Sequence, residues 1–484
     1  MNKIHNCSKS LLIILFAFIL FVDGCMVGPN YHPPQTSVPS AWTGTADQNT
    51  AAMDLVHWWT AFNDPNLASL IDRAVKSNLD LKQAESRLRQ ARAARRFVSS
   101  GLWPTVDAVG SYTRSQSAGT ATAAGTRNDL WVAGLDAAWE LDIFGGIRRN
   151  VESAQADIQV AVEDQRDVLV ILCGEVANNY IELRGYQQRI VIAQENLKAQ
   201  QHTAELTRQR FNSGLVSALD VANGDAQVGT TASQIPTLET FAQQSIYSLS
   251  ILLGREPAAL LAELSPTSAI PPAPPALPAE LPSDLLRRRP DIRKAEAQIH
   301  SATAQIGVAT ADLFPKFSLT GSAGYQTSTS LHGLVNSRYG FWSMGPSIDW
   351  QIFNADKVHA NIRVQEELTE QAKLTYQAAV LTALQDVENS LVAYSKELQR
   401  NKALQDTVVA NKKAVDLATQ LYAEGQTEFL SVLDAQRSLY ASEDSLVQST
   451  KNLSTDMVSL YKALGGGWDD EPNSMAQPIS EKKK

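Results

Sequence analysis

The chain repeats itself, and this limits its fold more than any other feature. Ala84-Glu85 recurs as Ala295-Glu296, and Gly110-Ser111 as Gly321-Ser322. Trp131 recurs as Trp342, Trp139 as Trp350, and Val176 as Val387. Leu102-Trp103-Pro104 answers to Leu313-Phe314-Pro315, and Phe211-x-x-Gly214 to Tyr422-x-x-Gly425. Every pair is 211 residues apart (295 − 84 = 211). A fixed offset held this far marks two copies of one supersecondary unit. The joint between them is residues 265–282, where Pro266, Pro271, Pro272, Pro274, Pro275, Pro278 and Pro282 rule out helix and central strand and favour an extended linker.

Within each copy the hydrophobic period changes twice. Residues 66–100 have helical spacing, started by the cap-and-proline pair Asp64-Pro65. After Trp103-Pro104 the period falls to two. In 317–326, Phe317, Leu319, Ala323 and Tyr325 share one face, and Ser318, Thr320, Ser322 and Gln326 the other. Residues 341–352 alternate likewise, as do Trp131, Ala133, Leu135, Ala137, Trp139 and Leu141 in the first copy; 106–113 is a weaker fourth strand. Strands of about 10 residues, apolar on one side, polar on the other and bearing aromatics near their ends, suit a transmembrane barrel. A soluble sandwich sheet is the alternative. Pro346 is awkward in a strand, because it cannot donate to a ladder. The connections 115–128 and 327–338 are rich in Gly, Ser, Thr and Ala, as external barrel loops are.

Helical period then returns. Residues 150–212 contain no proline, and 355–424 contain neither proline nor glycine. At 1.5 Å per residue, helices this long run roughly 95–105 Å. Leu169, Leu172, Val176, Asn179 and Leu183 step alternately by three and four, as do Val380, Leu384, Val387, Leu391 and Tyr394, which is a coiled-coil seam. Gly214 and Gly425 end these helices, and return helices follow over 220–253 and 431–464.

Composition excludes several function classes. The formal charge is −9 over 484 residues, which argues against a nucleic-acid partner. His57, His202, His300, His332 and His359 are scattered without ligand spacing, so no metal site or other cofactor is expected. The chain offers no nucleophile–base constellation and no phosphate-binding glycine loop, so no catalytic residue is assigned and an enzyme is not expected. Arg287-Arg288-Arg289-Pro290-Asp291 reads as capping and packing rather than as a substrate site.

The N-terminus is a processing segment. Lys3 and Lys9 precede the apolar run 11–22, which is too short to span a bilayer but right for a secretion signal. Val22-Asp23-Gly24-Cys25 follows and resembles a bacterial lipobox, with Cys25 as the residue that receives lipid. Two or more acyl chains make such an anchor stable. Cys7 leaves with the signal, and Cys173 remains as a buried thiol.

Two units give four strands per chain. Three chains give twelve, enough to leave an aqueous bore. The expected fold is α+β, a membrane β-barrel with four strands per chain and twelve per trimer, continued by a long α-helical barrel and built on a two-fold internal repeat. The expected divisions are signal peptide 1–24, lipid-anchored segment 25–65, first repeat 66–264, linker 265–282, second repeat 283–468 and polar tail 469–484.

Several motifs together carry a family resemblance. They are Cys25-x-x-Gly28-Pro29-x-Tyr31, Trp58-Trp59-x-x-Phe62-x-Asp64-Pro65, Trp139-Glu140-Leu141-Asp142-x-Phe144-Gly145, Arg288-Arg289-Pro290-Asp291, Phe314-Pro315, Leu433-Asp434-Ala435-Gln436-Arg437 and Leu460-Tyr461-x-Ala463-Leu464-Gly465-Gly466-Gly467-Trp468. In order and coverage the chain resembles the TolC-like outer-membrane efflux proteins, in particular their lipoprotein branch, the NodT-type outer-membrane factors. The resemblance implies a homotrimer in the outer-membrane lipid that docks with a periplasmic adaptor protein and an inner-membrane pump. It implies passive conduction of small molecules, gated where the helix hairpins pinch shut. The matching gate positions are Asp220, Tyr422, Asp434 and Arg437, with Ala423 where relatives can carry a basic partner. Asp220 answers to Ser431 and Asn223 to Asp434, so the acidic levels are staggered between copies. A solvated carboxylate beside a turn is the plainer reading of any one Asp. A periplasmic coiled-coil scaffold lipoprotein and the exit duct of a protein-secretion system are the competing functions.

Overall fold

The computed structural model describes residues 26–43, 50–51, 54–119, 125–274, 277–278, 282–328 and 336–469. The signal segment, Cys25 and nearly all of the polar tail therefore lie outside the described residues, as do parts of the linker and of the two strand-connecting loops. The described chain forms two compact units. The first gathers 26–35, 87–162 and 294–377; the second gathers 36–86, 163–293 and 378–469.

The copies run the same course. In the first, α1 (Pro65–Ser77) and α2 (Leu79–Ser100) lead to β2 (Thr105–Gln116) and β3 (Arg127–Leu141), then to α3 (Gly146–Asn212) and α4 (Ala218–Leu252). In the second, α6 (Pro282–Arg288) and α7 (Pro290–Ala311) lead to β5 (Lys316–Thr327) and β6 (Gly340–Asp349), then to α8 (Lys357–Ala423) and α9 (Phe429–Ala463). A short α5 (Leu261–Leu264) lies between the copies. Both α3 and α8 have 67 residues, and both α4 and α9 have 35. Among the described residues no helix is long and apolar enough to cross a membrane.

The sheet lies in the first unit, in the order β2-β3-β5-β6, with every pair antiparallel. Its register keeps the faces apart. Leu319, Gly321 and Ala323 lie opposite Pro346, Met344 and Trp342, while Ser318 and Ser322 lie opposite Ser347 and Ser343. Those serine pairs are hydrogen-bonded at 2.7 and 2.8 Å. The Trp139 indole donates to the Leu102 carbonyl and Trp350 to that of Leu313, the same bond in each copy. Pro346 lies opposite Leu319 in β6, an outermost strand of the single-chain sheet. β6 stops at Asp349 rather than 352: its partner Lys316 begins β5 directly after Pro315, so later residues have no ladder to join.

Three other boundaries differ from the sequence reading. The helix expected over 66–100 breaks at Asn78, whose ψ of 138° is not helical. The Asn78 side chain accepts from the Leu81 amide at 2.9 Å and donates to the Leu252 carbonyl at 2.9 Å, so it caps a second helix instead of extending the first. The last long helix starts at Lys357, because Ala355 and Asp356 have φ of 50° and 67°. Thr50–Ala51 (β1) pairs in parallel with Leu277–Pro278 (β4), so one step of the proline-rich linker is strand.

The second unit holds the main core. Asp64 caps α1 through the Asn66 and Leu67 amides, with Pro65 in the first turn. The aromatic run before it packs inward: Trp58 is 2% exposed, Phe62 is fully buried, and Trp58 stacks on Tyr461 at 5.1 Å. Cys173 lies in the same core, where burial pushes its thiol up to about 12. Glu163 is buried and paired with Arg166 and Arg293 at 2.8 and 3.1 Å, and both guanidinium groups lie over the Trp468 ring. Within the arginine motif, Arg289 has a capping and packing role. Arg289 grips Asp291 with two nitrogens and donates to the Ala463 carbonyl at the end of α9.

Asp456 on α9 carries a pH dependence. Burial first, then the charge of Glu397, raises its carboxyl from 3.8 to about 6, with Lys451 opposing. The folded state thus disfavours the ionised form. That contribution to stability is complete below the unfolded pKa and is lost as pH rises through about 6. Asp456→Asn is expected to raise the unfolding temperature at pH 7.5 and leave it unchanged at pH 4, read by thermal melts across that range. An equal shift at both pH values would refute the assignment.

Candidate functional site: the ends of the helix hairpins

Each long helix turns back through one glycine in the left-handed region, Gly214 at φ 74° and Gly425 at 77°. Reversed bonds close both ends: the Leu215 amide reaches the Arg210 carbonyl, and the Gln426 amide reaches that of Leu421. A side chain at either glycine would strain this cap. The turns themselves differ. Leu215 and Leu219 stand 66% and 67% exposed on the first, whereas Gln426, Thr427 and Glu428 follow Gly425 on the second.

Asp220 lies in the first turn of α4. Its Oδ2 accepts from the Ser217 amide at 3.0 Å and the Ser217 hydroxyl at 2.8 Å, and Ser217 Oγ accepts from the Asp220 amide. This is a reciprocal capping box, so Asp220 holds the turn as well as lending it charge. Among the described residues it forms no bond to the other three expected gate positions.

Tyr422 is buried, 1% exposed, in a small cluster with Phe429, Val432 and Leu433. Its hydroxyl donates to Thr207 Oγ1 at 3.2 Å. The Arg210 guanidinium lies over its ring at 4.7 Å and donates to the Tyr422 and Ala423 carbonyls. Position 423 brings no basic side chain, but Arg210 supplies a cation to its backbone from the other hairpin. Sequence reasoning missed this residue. Arg210 answers to Leu421 in the second copy, and that mismatch beside the turn is the signal that could have singled it out.

Asp434 and Arg437 are brought together loosely, at 3.9 Å across one turn of α9, with side chains 64% and 50% exposed. Such a pair contributes little stability. Arg437 is held more firmly by Gln227 of α4, through Nε to Oε1 at 2.6 Å. Nearby, Arg208 pairs with Asp225 at 2.8 Å and with Glu205 at 3.3 Å. The arginines here are thus tied to helix partners or backbone, while the Asp434 carboxylate stays largely in solvent. A group placed this way can attract cations and repel anions without a cofactor.

The chain has known relatives. The family model described as outer membrane efflux protein matches twice, over residues 70–255 and 281–466. Nodulation protein T of Rhizobium leguminosarum bv. trifolii is 32% identical over 93% of this chain and 96% of its own length. The solvent efflux pump outer membrane protein SrpC of Pseudomonas putida is 34% identical over 94% of this chain and 98% of its own. The solved structure of the outer-membrane channel OprN superposes with a TM-score of 0.86 at 36% identity, covering 92% of this chain and 100% of that one.

Proposed function

Because the chain belongs to the outer membrane efflux protein family, we propose that it is the outer-membrane channel of a tripartite efflux pump, a homotrimer that passes small molecules from periplasm to exterior. The observation that carries this is the four-stranded sheet with one polar and one apolar face and two open edges, its strands joined in the chain to two 67-residue helices. Four strands leave a barrel incomplete; three copies supply twelve. The channel performs no chemistry of its own. A periplasmic adaptor and an inner-membrane pump supply direction and energy.

Asp220, Tyr422, Asp434 and Arg437 form the gate at the hairpin ends, and Arg210 joins them. Arg210 and Arg437 reach from one hairpin to the other, so both must let go for the ends to part. Three-fold symmetry would turn Asp434 into a ring of three carboxylates, which selects cations.

Cys25 is the lipid-bearing residue of this reading. The fold of the residues after it supports that role. The Val27 amide donates to the Phe144 carbonyl, and Met26 lies against Gly145, just past the end of β3. These contacts hold the start of the described chain beside the end of β3, in keeping with an anchor at Cys25.

The test is single-channel recording in a planar bilayer with the mature trimer, alongside Asp434→Ala and Arg210→Ala. Small, discrete, cation-selective currents are expected, rising several-fold in each variant and losing selectivity in Asp434→Ala. Trimeric protein without conductance would end the channel reading. Currents unchanged by either substitution would keep the channel and remove that residue from its gate.

A further inference from the structure

Charge stands in an unusual place at the loop ends of β2 and β3. Tyr112 lies opposite Trp131, Arg114 opposite Asp129, and Gln116 opposite Arg127. Side chains alternate along a strand, so these six share the apolar face of Leu135 and Trp139. Their contacts agree. The Tyr112 and Trp131 rings are 4.1 Å apart, the Tyr112 hydroxyl donates to Asp129 at 3.0 Å, and Arg127 Nε donates to Gln116 Oε1 at 3.1 Å. Trp131 and Trp139 are eight residues apart, about 26 Å along the strand, on the scale of the apolar band of a membrane barrel. The arginines begin one step beyond that band, on the loop side.

We propose that Arg114, Arg127 and Arg338 form a collar on the outer surface that binds the phosphate groups of outer-leaflet lipid. The collar rests on the channel reading above and adds a ligand to it.

The internal repeat singles these positions out. Arg127 and Trp131 recur as Arg338 and Trp342, each 211 residues on (338 − 127 = 211). The three residues between have all changed, from Asn128, Asp129 and Leu130 to Tyr339, Gly340 and Phe341. The backbone has changed as well, from strand at Arg127 to a single 3-10 turn at Arg338, where Asn336 accepts from the Arg338 amide at 3.1 Å. Arginine and tryptophan are thus kept where the sequence and conformation around them are not. Three-fold symmetry repeats all three arginines around one rim.

Charge is concentrated at this level and is missing from the loops beyond it. The connections 115–126 and 326–337 contain no Asp, Glu, Lys or Arg. Charges kept for solubility belong in such loops, in water. Here they stand at the loop bases, beside the aromatic belt. The three arginines and Asp129 give a local charge of +2 (3 − 1 = 2) in a chain whose total is −9.

The guanidinium groups are open to an anion. Gln116 occupies only Nε of Arg127, and among the described residues its two terminal nitrogens have no protein partner. The Arg114 side chain is 62% exposed and meets Asp129 at 3.5 Å, a loose contact. A guanidinium fork pairs with two phosphate oxygens at once, whereas an ammonium group acts as a point charge. Beside it, Tyr112 and Trp131 are amphipathic rings of the kind that settle at headgroup depth. A lipid offers phosphate and acyl chain together, which matches arginine next to an aromatic pair. A free phosphate matches the arginine alone.

The test counts bound lipid by native mass spectrometry on the mature trimer, washed free of lipid in detergent. The probes are lipid A with both phosphates and the same lipid dephosphorylated. The phosphorylated form is expected to bind several-fold more tightly. Arg127→Gln with Arg338→Gln should abolish that preference, and the matching pair of lysine substitutions should keep part of it. Asp129→Asn removes the carboxylate that competes for Arg114 and should tighten binding several-fold, an effect that a purely structural role would not produce. Arg363→Gln, an exposed arginine paired with Asp356 at the start of α8, should change nothing. Equal binding of the two lipids, or full preference in the double glutamine variant, would overturn the collar. So would a loss in Arg363→Gln as large as in that variant. Complete displacement of the lipid by millimolar inorganic phosphate would overturn its assignment to lipid. Protein that forms no trimer and enters no vesicle would instead overturn the channel reading, and the collar with it.

Discussion

Arg289→Met is expected to lower the stability of the folded chain by about 3–5 kcal/mol, the usual cost of removing one partner from a buried charge cluster. The Arg289 side chain is 10% exposed. Its Nε and Nη2 hold both oxygens of Asp291 at 3.0 and 2.7 Å, and Nη2 also reaches Asp386 at 3.2 Å. Nη1 closes the last turn of α9 on the Ala463 carbonyl at 2.9 Å. One guanidinium therefore ties the start of α7, the middle of α8 and the end of α9. Methionine fills the volume but leaves two carboxylates facing one another and a helix end open. Arg289→Lys keeps the charge and loses the planar fork, so an intermediate loss is expected. The measurement is the denaturant midpoint of detergent-solubilised protein. A loss below about 1 kcal/mol for the methionine variant would mean the cluster is hydrated and the motif is dispensable to the fold.

Arg149→Met is expected to release the segment that follows Cys25, at a local cost on the same order, about 3–5 kcal/mol. Arg149 is 1% exposed. It donates to the Val27 and Gly28 carbonyls, to Asn30 Oδ1 and to Glu152. Gly28 admits no side chain, because its φ is 85° and an added Cβ would lie 2.5 Å from Gly307 Cα. Tyr31 completes the clasp, stacked on His300 at 4.3 Å with its hydroxyl on Glu296. The readout is protease cleavage within residues 26–31, expected to accelerate at least ten-fold in the variant. The clasp should also loosen in acid. Burial pushes the Glu152 carboxyl up, but bonds from Arg149 and His300 outweigh it and leave its pKa lowered. A depressed carboxylate stabilises above its unfolded pKa, and the contribution goes as pH falls through the folded one. Cleavage that is equally fast in both proteins at neutral pH would show that Arg149 does not hold the segment.

Much of this was legible in the sequence because it is local or periodic. Strand faces follow from alternation, and Ser318, Ser322, Ser343 and Ser347 share a side as the pattern requires. Helix ends follow from Asp64-Pro65, Gly214 and Gly425, which act within one turn of themselves. The misses are places where distant parts of the chain decide. Asn78 breaks a helix of good local pattern because the Leu252 carbonyl waits for its amide. Leu277–Pro278 is strand only because Thr50–Ala51 lies beside it. Arg210 and Arg149 each resemble any arginine on a long helix until the backbone carbonyls they serve are known. At the hairpin ends, the burial of Tyr422 and its bond to Thr207 likewise depend on the other hairpin.

The two 67-residue helices limit how such a chain can change over generations. Between the copies residue identity has drifted widely: Ser153 stands against Val364, Asp157 against Leu368, Arg210 against Leu421. Residue count has not drifted, since α2 and α7, α3 and α8, and α4 and α9 match in length pair by pair. Inserting one residue into α3 would advance all that follows by about 1.5 Å and turn it by about 100°, carrying every inward side chain off its seam. Substitutions in these helices are tolerated one at a time, but a change of length has to be matched in the returning helix. Alleles of this protein should therefore be rich in replacements and nearly free of small insertions between residues 146 and 252 or between 357 and 463.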